Sequence, residues 1–232
     1  MTAALPLVLG FLFAAPPEEK ATPLRYVRPV GDKYVTESEI TVTPDKRGST
    51  YTSTTSRTSE DGEIKMTLTL RLDATNAITT AEALLTTPKS KKKATLALFK
   101  DHARLKREGT TELLNHVPAA PVVTTAPDWS DVIQLVTRFD AKKGGKQEFG
   151  GVWFHPVDQW QILSFTIERA GEDKITLKER EITLHRYDIQ LRSGGYRAWS
   201  DAEGRVVRIV PRGQGSVPIV LEGYEEATRE LK

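Results

Sequence analysis

The four histidines are the residues best suited to metal binding or acid–base catalysis, and their spacing favours neither. They lie far apart in the sequence, at His102, His116, His155 and His185. None belongs to an HxH or HExxH pattern, which would bring metal-binding imidazoles together on one element. The chain has no cysteine, which excludes thiolate zinc sites, iron–sulfur clusters and cysteine nucleophiles. The sequence therefore predicts no metal site and no cofactor.

Motifs for nucleophilic catalysis and phosphate binding are also missing from the sequence. It contains no GxSxG, and the SxxK spacing from Ser90 to Lys93 belongs to a lysine-rich run without a companion motif. The glycine pairs at 144–145, 150–151 and 194–195 do not form a P-loop and are interpreted as turn glycines. No catalytic residue is predicted. Hydrolysis is an alternative if acidic residues and histidines converge only in three dimensions.

Aromatic side chains are concentrated in the second half of the chain. A groove walled by such rings would bind an acyl chain, a hydrophobic peptide or a sugar. The other interpretation is that the rings fill a core between a sheet and a helix. The candidate ligand-binding residues are Trp153, Trp160, Phe165, Tyr196 and Trp199.

The charge balance limits the classes of partner. The chain has 33 Lys and Arg against 31 Asp and Glu, a formal net charge of +2, which does not favour nucleic acid. Lysines at positions 89–93 have no aromatic residues between them and are interpreted as a solvated loop next to a strand edge. The expected partners are a lipid, a hydrophobic peptide or another protein.

The N-terminus indicates export. Residues 5–15 form an apolar run that is too short for a stable transmembrane span and suits the core of a secretory signal. We expect residues 1–15 to be a signal peptide and residues 16–23 a polar spacer, which predicts a periplasmic or secreted protein; a short uncleaved anchor is the alternative for the apolar run. Residues 24–226 are expected to form a single β-rich domain, followed by a short tail at 227–232.

Alternating hydrophobicity predicts that this domain is mainly β. Apolar residues occupy every second position from Ile64 to Leu72, which places them on one face of a strand. The run YRAWSDAEGRVVRIV predicts a hairpin with its turn at 201–204, because Asp and Gly suit a type I turn closed at positive φ. A further turn is expected at 170–173, and a change of parity near His185 and Arg186 predicts a β-bulge.

One helix is predicted, around residues 129–142. Trp129, Val132, Ile133, Val136 and Phe139 have helical spacing. Asp128 or Ser130 is expected to cap its first turn, and Gly144 with Gly145 to end it. The fold expected from these patterns is a curved antiparallel sheet or open barrel, a β-meander covered by one helix.

Three segments carry a resemblance to known exported proteins. They are the meander, DWSDVIQLVTRFDAKKGGKQEF at residues 128–149, and the closing hairpin followed by IVLEGYEE. Their order resembles exported bacterial β-domains of unknown function and is similar in outline to the half-barrel carriers LolA and LolB. The resemblance implies a hydrophobic cavity between sheet and helix and no catalytic residues. The chain lacks the lipobox cysteine of LolB. The predicted function is non-enzymatic: an exported binding or scaffold domain for an apolar ligand or a partner protein.

Overall fold

The computed structural model describes residues 22–31, 33–45, 48–126, 128–192, 194–213 and 216–231. The predicted signal peptide and residues 16–21 of the predicted spacer lie outside them. The described residues form fifteen strands and the helix α1 (Ser130–Arg138). The strands are β1 (Leu24–Val30), β2 (Lys33–Asp45), β3 (Gly48–Ser59), β4 (Gly62–Asp73), β5 (Ile78–Thr86), β6 (Lys91–Leu98), β7 (His102–Arg107), β8 (Thr110–Asn115), β9 (Val122–Thr124), β10 (Lys146–Phe154), β11 (Trp160–Leu177), β12 (Arg180–Leu191), β13 (Gly194–Ser200), β14 (Val206–Pro211) and β15 (Ile219–Leu221).

All strands belong to one sheet, in the order β8-β7-β6-β5-β4-β3-β2-β1-β15-β14-β13-β12-β11-β10-β9. The two halves of the chain are meanders that join where Tyr26 of β1 pairs with Leu221 of β15. Pairing is antiparallel except between β9 and β10. Because β8 and β9 are edge strands, the sheet is open. The predicted fold class, an open and mainly antiparallel sheet with one helix, is confirmed.

Side chains connect the two ends of the sheet. Arg107, at the end of β7, donates hydrogen bonds to the main-chain oxygen of Asp158 and to the carboxylate of Glu112. The indole Nε1 of Trp160, at the start of β11, donates to Glu112 Oε2 over 3.2 Å. The β7–β8 hairpin therefore contacts the β10–β11 loop, so the sheet curves until its ends are neighbours.

The predicted hairpin at β13 and β14 is confirmed in position and in turn chemistry. Gly204 N–H donates to the main-chain oxygen of Asp201 over 3.0 Å, and Arg205 N–H donates to Asp201 Oδ1 over 2.9 Å. Gly204 has a φ of 78°, in the left-handed region that glycine adopts without steric cost. The turn is thus specified by Asp at its start and Gly at its end.

Gly204→Ala is expected to lower the free energy of unfolding by about 1 kcal/mol. A Cβ atom here would have no heavy atom within 4 Å, so the cost comes from backbone conformation and not from a clash. Gly204→Asn is expected to cost less, because asparagine tolerates the left-handed region better than alanine. Urea denaturation of both variants checks this; equal losses for Ala and Asn would contradict it.

Helix α1 is present, but its caps differ from the prediction. Its N-cap is Trp129, and no side chain caps the first turn, so the assignment of Asp128 or Ser130 as the cap is wrong. The helix ends at Arg138, before the predicted stop. Gln147 Oε1 accepts the main-chain N–H of Asp140 over 3.1 Å, which holds the following residues in a turn.

The turn predicted at 170–173 is also wrong. These residues continue β11, and the chain reverses at Lys178 and Glu179, which have φ values of 48° and 66°. Two successive residues at positive φ form the tight connection that matches the twist of a hairpin. A glycine next to acidic residues was therefore an insufficient signal for a turn.

The irregularity that the change of parity predicted lies on the neighbouring strand. The pairing of β11 with β12 shifts register between Arg169 and Gly171, which makes Ala170 the extra residue. The bulge predicted at His185 and Arg186 on β12 is therefore wrong in position. The observed bulge is at Ala170 on the paired strand β11. A parity change in one strand does not show which partner carries the extra residue.

Candidate functional site

Helix α1 and the first half of the sheet enclose a cavity. The helix packs against β9, β13 and β14, while Ile133, Gln134 and Thr137 on the helix line a space of about 330 Å³. Strands β1–β5 supply most of the opposite wall. We term this space the apolar cavity. Its apolar lining residues are Leu24, Tyr26, Ile40, Val42, Tyr51, Leu70, Leu72, Ile78, Ile133 and Val206.

The apolar lining follows from strand alternation. Leu70 and Leu72 on β4 belong to the period-two run that the sequence predicts, and Ile40 with Val42 on β2 repeats the pattern. Tyr26 Oη donates a hydrogen bond to the main-chain oxygen of Val206 over 2.7 Å, so this hydroxyl does not make the wall polar. Burial is the main cause of a raised Tyr26 pKa. The tyrosine therefore stays neutral and presents an apolar ring.

A second pocket lies at the N-terminal end of the helix and has a different character. It has a volume of about 320 Å³, and we term it the acidic pocket. Its polar lining residues are Arg57, Thr124, Thr125, Asp128, Asp131 and Gln161. Its apolar and aromatic lining residues are Ala126, Trp129, Trp153, Leu163, Leu191 and Tyr196.

Two carboxyl groups at the start of the helix define the acidic pocket. Asp128 accepts hydrogen bonds from Ser53 Oγ over 2.6 Å and from the hydroxyl of Ser130. Asp131 is 4% exposed, and its Oδ1 accepts the main-chain N–H of Val132 over 2.8 Å. Their spacing, i and i+3 across the start of the helix, brings both carboxyls to the same pocket.

Burial strongly disfavours the charged forms of both carboxyls. It raises the pKa of Asp131 to about 7, with a further contribution from the nearby charge of Asp128. Burial also raises the pKa of Asp128, and hydrogen bonds from Ser130 and Ser53 partly oppose that shift. Asp131 is therefore partly protonated near neutral pH, and burial disfavours the ionised form of Asp128.

Two of the five candidate ligand-binding residues lie in the acidic pocket. Trp153 of β10 and Tyr196 of β13 both line it. The Tyr196 ring packs edge-on against Trp129, with 6.0 Å between ring centroids. Burial, followed by the charge of Asp131, raises the Tyr196 pKa. These rings thus form an aromatic wall beside the carboxyls.

The other three candidate residues lie outside both pockets. Phe165 is fully buried in the core, and Trp160 takes part in the contact between the ends of the sheet. Trp199 is also fully buried. Because it lies three residues after Tyr196 on the same strand, its side chain is on the opposite face of β13. The five residues therefore do not form one groove.

The sequence interpretation missed the carboxyls of the acidic pocket. The sequence patterns indicate Asp128 only as a helix cap and indicate no role for Asp131. The available signal was two acids at helical spacing inside an otherwise apolar segment, since isolated charged residues are rarely buried there. The apolar cavity was implied by the resemblance to half-barrel carriers, but its lining residues were not assigned.

The histidines do not contribute to either pocket. His155 lies 3.1 Å from Asp158, and His185 lies 2.5 Å from a guanidinium nitrogen of Arg169. His102 stacks on Phe99 and lies near His116 beside another small depression. Within the part of the chain that the structure describes, no three potential metal ligands cluster, and no helix has the length and apolar character needed to cross a membrane.

Comparisons with known proteins bear on the fold alone. No family model matches the chain, and no curated protein matches it. Among solved structures, the chain is similar to the crystal structure of a DUF1089 family protein from Pseudomonas aeruginosa, with a TM-score of 0.50. The similarity covers 77% of this chain and 92% of that chain at 13% sequence identity. Such a likeness supports a shared fold and transfers no ligand or activity.

Proposed function

We propose that this protein is an exported, non-enzymatic binding domain that holds an apolar ligand in the apolar cavity. The observation that carries the proposal is the lining of that cavity: ten of the seventeen residues around a space of about 330 Å³ are apolar or aromatic. Protein cores are normally packed without spaces of this size. A preformed apolar space of a few hundred Å³ is typical of small-molecule sites.

The position of the cavity supports ligand entry. Its lining includes Thr22 and Arg205, whose side chains are exposed, so the space extends to the protein surface. Leu24, Val42 and Leu72 are only partly buried around it. An apolar ligand would cover these side chains and gain about 25 cal/mol for each Å² removed from water. A lipid or the side chains of a hydrophobic peptide meet this requirement.

Ile133→Trp is expected to weaken binding of the neutral fluorescent probe N-phenylnaphthylamine by about tenfold or more, because the larger side chain fills the cavity. Ile133 lies on the cavity side of α1 and packs against the core. Fluorescence titration of purified protein measures the effect. The matched control is Ile162→Trp, at a residue that is 42% exposed on β11 and outside the cavity.

Equal affinities of the two variants would argue against ligand binding in the apolar cavity. Circular dichroism and thermal melting must show that Ile133→Trp is folded. Native mass spectrometry of protein from its own host provides a second test, since a bound lipid or peptide should co-purify. Protein that is repeatedly empty and that fails to bind the probe would contradict the proposal.

Export is an independent part of the proposal and rests on the apolar N-terminal run. Protein isolated from its host should begin after residue 15, as determined by N-terminal sequencing. A mature N-terminus at Met1 or Thr2 would show that the signal peptide is not cleaved. That result would leave the ligand-binding test unaffected.

Hydrolysis is the second candidate, because the acidic pocket contains Asp128 and Asp131 beside an aromatic wall. Glycoside hydrolysis needs one carboxyl to remain ionised while the other donates a proton. Here the pKa of each carboxyl is raised, and burial is the main cause for both. Because burial disfavours the ionised form of each carboxyl unless a cation lies beside it, we place binding before hydrolysis.

A further inference from the structure

We propose that the acidic pocket is a second binding site, distinct from the apolar cavity, and that it binds a small organic ammonium ion. The site is built at the N-terminal end of α1, where Asp128 and Asp131 face a pocket with aromatic walls. The apolar cavity lies along the C-terminal half of the same helix. The two ligands would therefore occupy separate spaces.

The first argument is the unmatched negative charge. Asp131 is 4% exposed, and its Oδ1 accepts a hydrogen bond from the uncharged main-chain N–H of Val132. Arg57 supplies a positive charge to the pocket lining, but its Nη2 lies 3.2 Å from the carboxylate of Glu37, which is 3% exposed. A buried carboxylate is costly without a cation beside it. An ammonium group would supply that cation.

The second argument is independent of the acids. Thr125 lines the acidic pocket and is 2% exposed, yet its Oγ1 has no hydrogen-bond partner in the described part of the chain. The buried Nε1 of Trp129, in the same lining, also lacks one there. Buried polar atoms are almost always paired. The wall of the acidic pocket therefore contains a hydroxyl and an indole N–H that no described protein group satisfies.

The third argument is the aromatic wall. Trp129, Trp153 and Tyr196 line the pocket together with the carboxyls. Aromatic faces attract cations, most strongly where water is excluded. Carboxyls and aromatic rings in one small pocket are the combination that recognises an alkylammonium ion. With about 320 Å³ available, the ligand must be small.

Other ligand classes fit less well. A neutral polyol would stack on the rings but would leave both carboxyls without a counter-charge. A metal ion would need additional protein ligands, and no cluster of three potential ligands occurs among the residues described. An anion would be repelled by Asp128 and Asp131.

The proposal also predicts a pH dependence. Asp128 precedes the helix, Arg57 and Tyr51 lie on β3, and Tyr196 lies on β13; these are the charged or titratable groups around Asp131. Tyr51 and Tyr196 stay neutral because burial raises the pKa of each. An ammonium ion binds the ionised carboxyl, and the pKa of Asp131 is about 7. Affinity should therefore increase from about pH 6 to about pH 8, with proton release on binding.

The test compares benzylammonium with its neutral analogue benzyl alcohol, measured by calorimetry on the full chain near pH 8. The charged probe should bind about tenfold or more tightly than the alcohol. Asp131→Asn should remove this preference. Asp61→Asn, at a side chain that is 76% exposed, makes the same charge change elsewhere and should have no effect.

Trp153→Ala tests the aromatic wall with a second variant, on strand β10. It should weaken benzylammonium binding by about threefold or more. Ile133→Trp should leave it unchanged, which separates this site from the apolar cavity. Equal binding of both probes would overturn the proposal in favour of a neutral ligand. No binding of benzylammonium, or binding that Asp131→Asn and Trp153→Ala leave intact, would overturn it altogether.

Discussion

Trp199→Ala is expected to lower the free energy of unfolding by about 3–5 kcal/mol, the usual range for removing a buried tryptophan. Trp199 is 0% exposed. Its Nε1 donates to Asp173 Oδ2 over 2.8 Å, and the Arg208 guanidinium lies 5.9 Å from its ring centroid. The substitution would leave a cavity and remove a hydrogen bond. Because Trp199 lines neither pocket, the folded fraction should still bind N-phenylnaphthylamine in the apolar cavity and benzylammonium in the acidic pocket.

Urea denaturation measures this effect, with Trp153→Ala as the matched control. Trp153 is partly exposed and lines the acidic pocket, so its loss should cost about 1 kcal/mol. Trp199→Phe should fall between wild type and Trp199→Ala, because phenylalanine restores apolar volume but not the N–H donor. Similar losses at positions 153 and 199 would contradict the burial of Trp199.

Asp131→Asn is expected to stabilise the protein by roughly 3–4 kcal/mol near pH 8 and to have little effect near pH 4. The physical reason is that folding raises the pKa of Asp131 from 3.8 to about 7. Between these values the folded state binds more protons than the unfolded state. The contribution of Asp131 to stability therefore falls as pH rises through this range. Asparagine has nearly the same shape and carries no charge at any pH.

The measurement is the free energy of unfolding of both proteins at several values from about pH 4 to about pH 8. The difference between variant and wild type should increase steadily with pH, because subtracting the two curves removes the titration of other groups. Asp61→Asn should give a flat difference, since Asp61 and its partner Lys89 are both largely exposed. A destabilised Asp131→Asn near pH 8 would show that the ionised carboxyl has a stabilising partner.

These two experiments test opposite faces of the closing hairpin. The Trp199 face contributes to stability through packing and the contact with Asp173. The Tyr196 face contributes to the acidic pocket, where burial of Asp131 lowers stability at neutral pH. Functional sites commonly retain such destabilising groups because a ligand compensates for them when bound. A stabilising effect of Asp131→Asn would therefore support both the burial of Asp131 and its place in a binding site.

The sequence by itself determined the local structure. Strict alternation from Ile64 to Leu72 leaves a strand as the simple way to place the apolar side chains on one face. Asp201 and Gly204 specify the β13–β14 turn through their own backbone preferences. The helix followed from apolar spacing after residue 128, and the side chain of Gln147 holds the turn that follows it. Each of these features requires only contacts between residues close in the chain.

The tertiary structure decided which candidate residues share a site. Alternation alone separates Tyr196 from Trp199, but only the packing of Trp129 against Tyr196 shows which face meets the helix. The pairing of β1 with β15 and the enclosure of Asp131 also depend on residues far apart in sequence. Burial and pKa are properties of the assembled surroundings, so no local pattern specifies them. The acidic pocket therefore emerges only when strands from both halves of the chain surround the start of the helix.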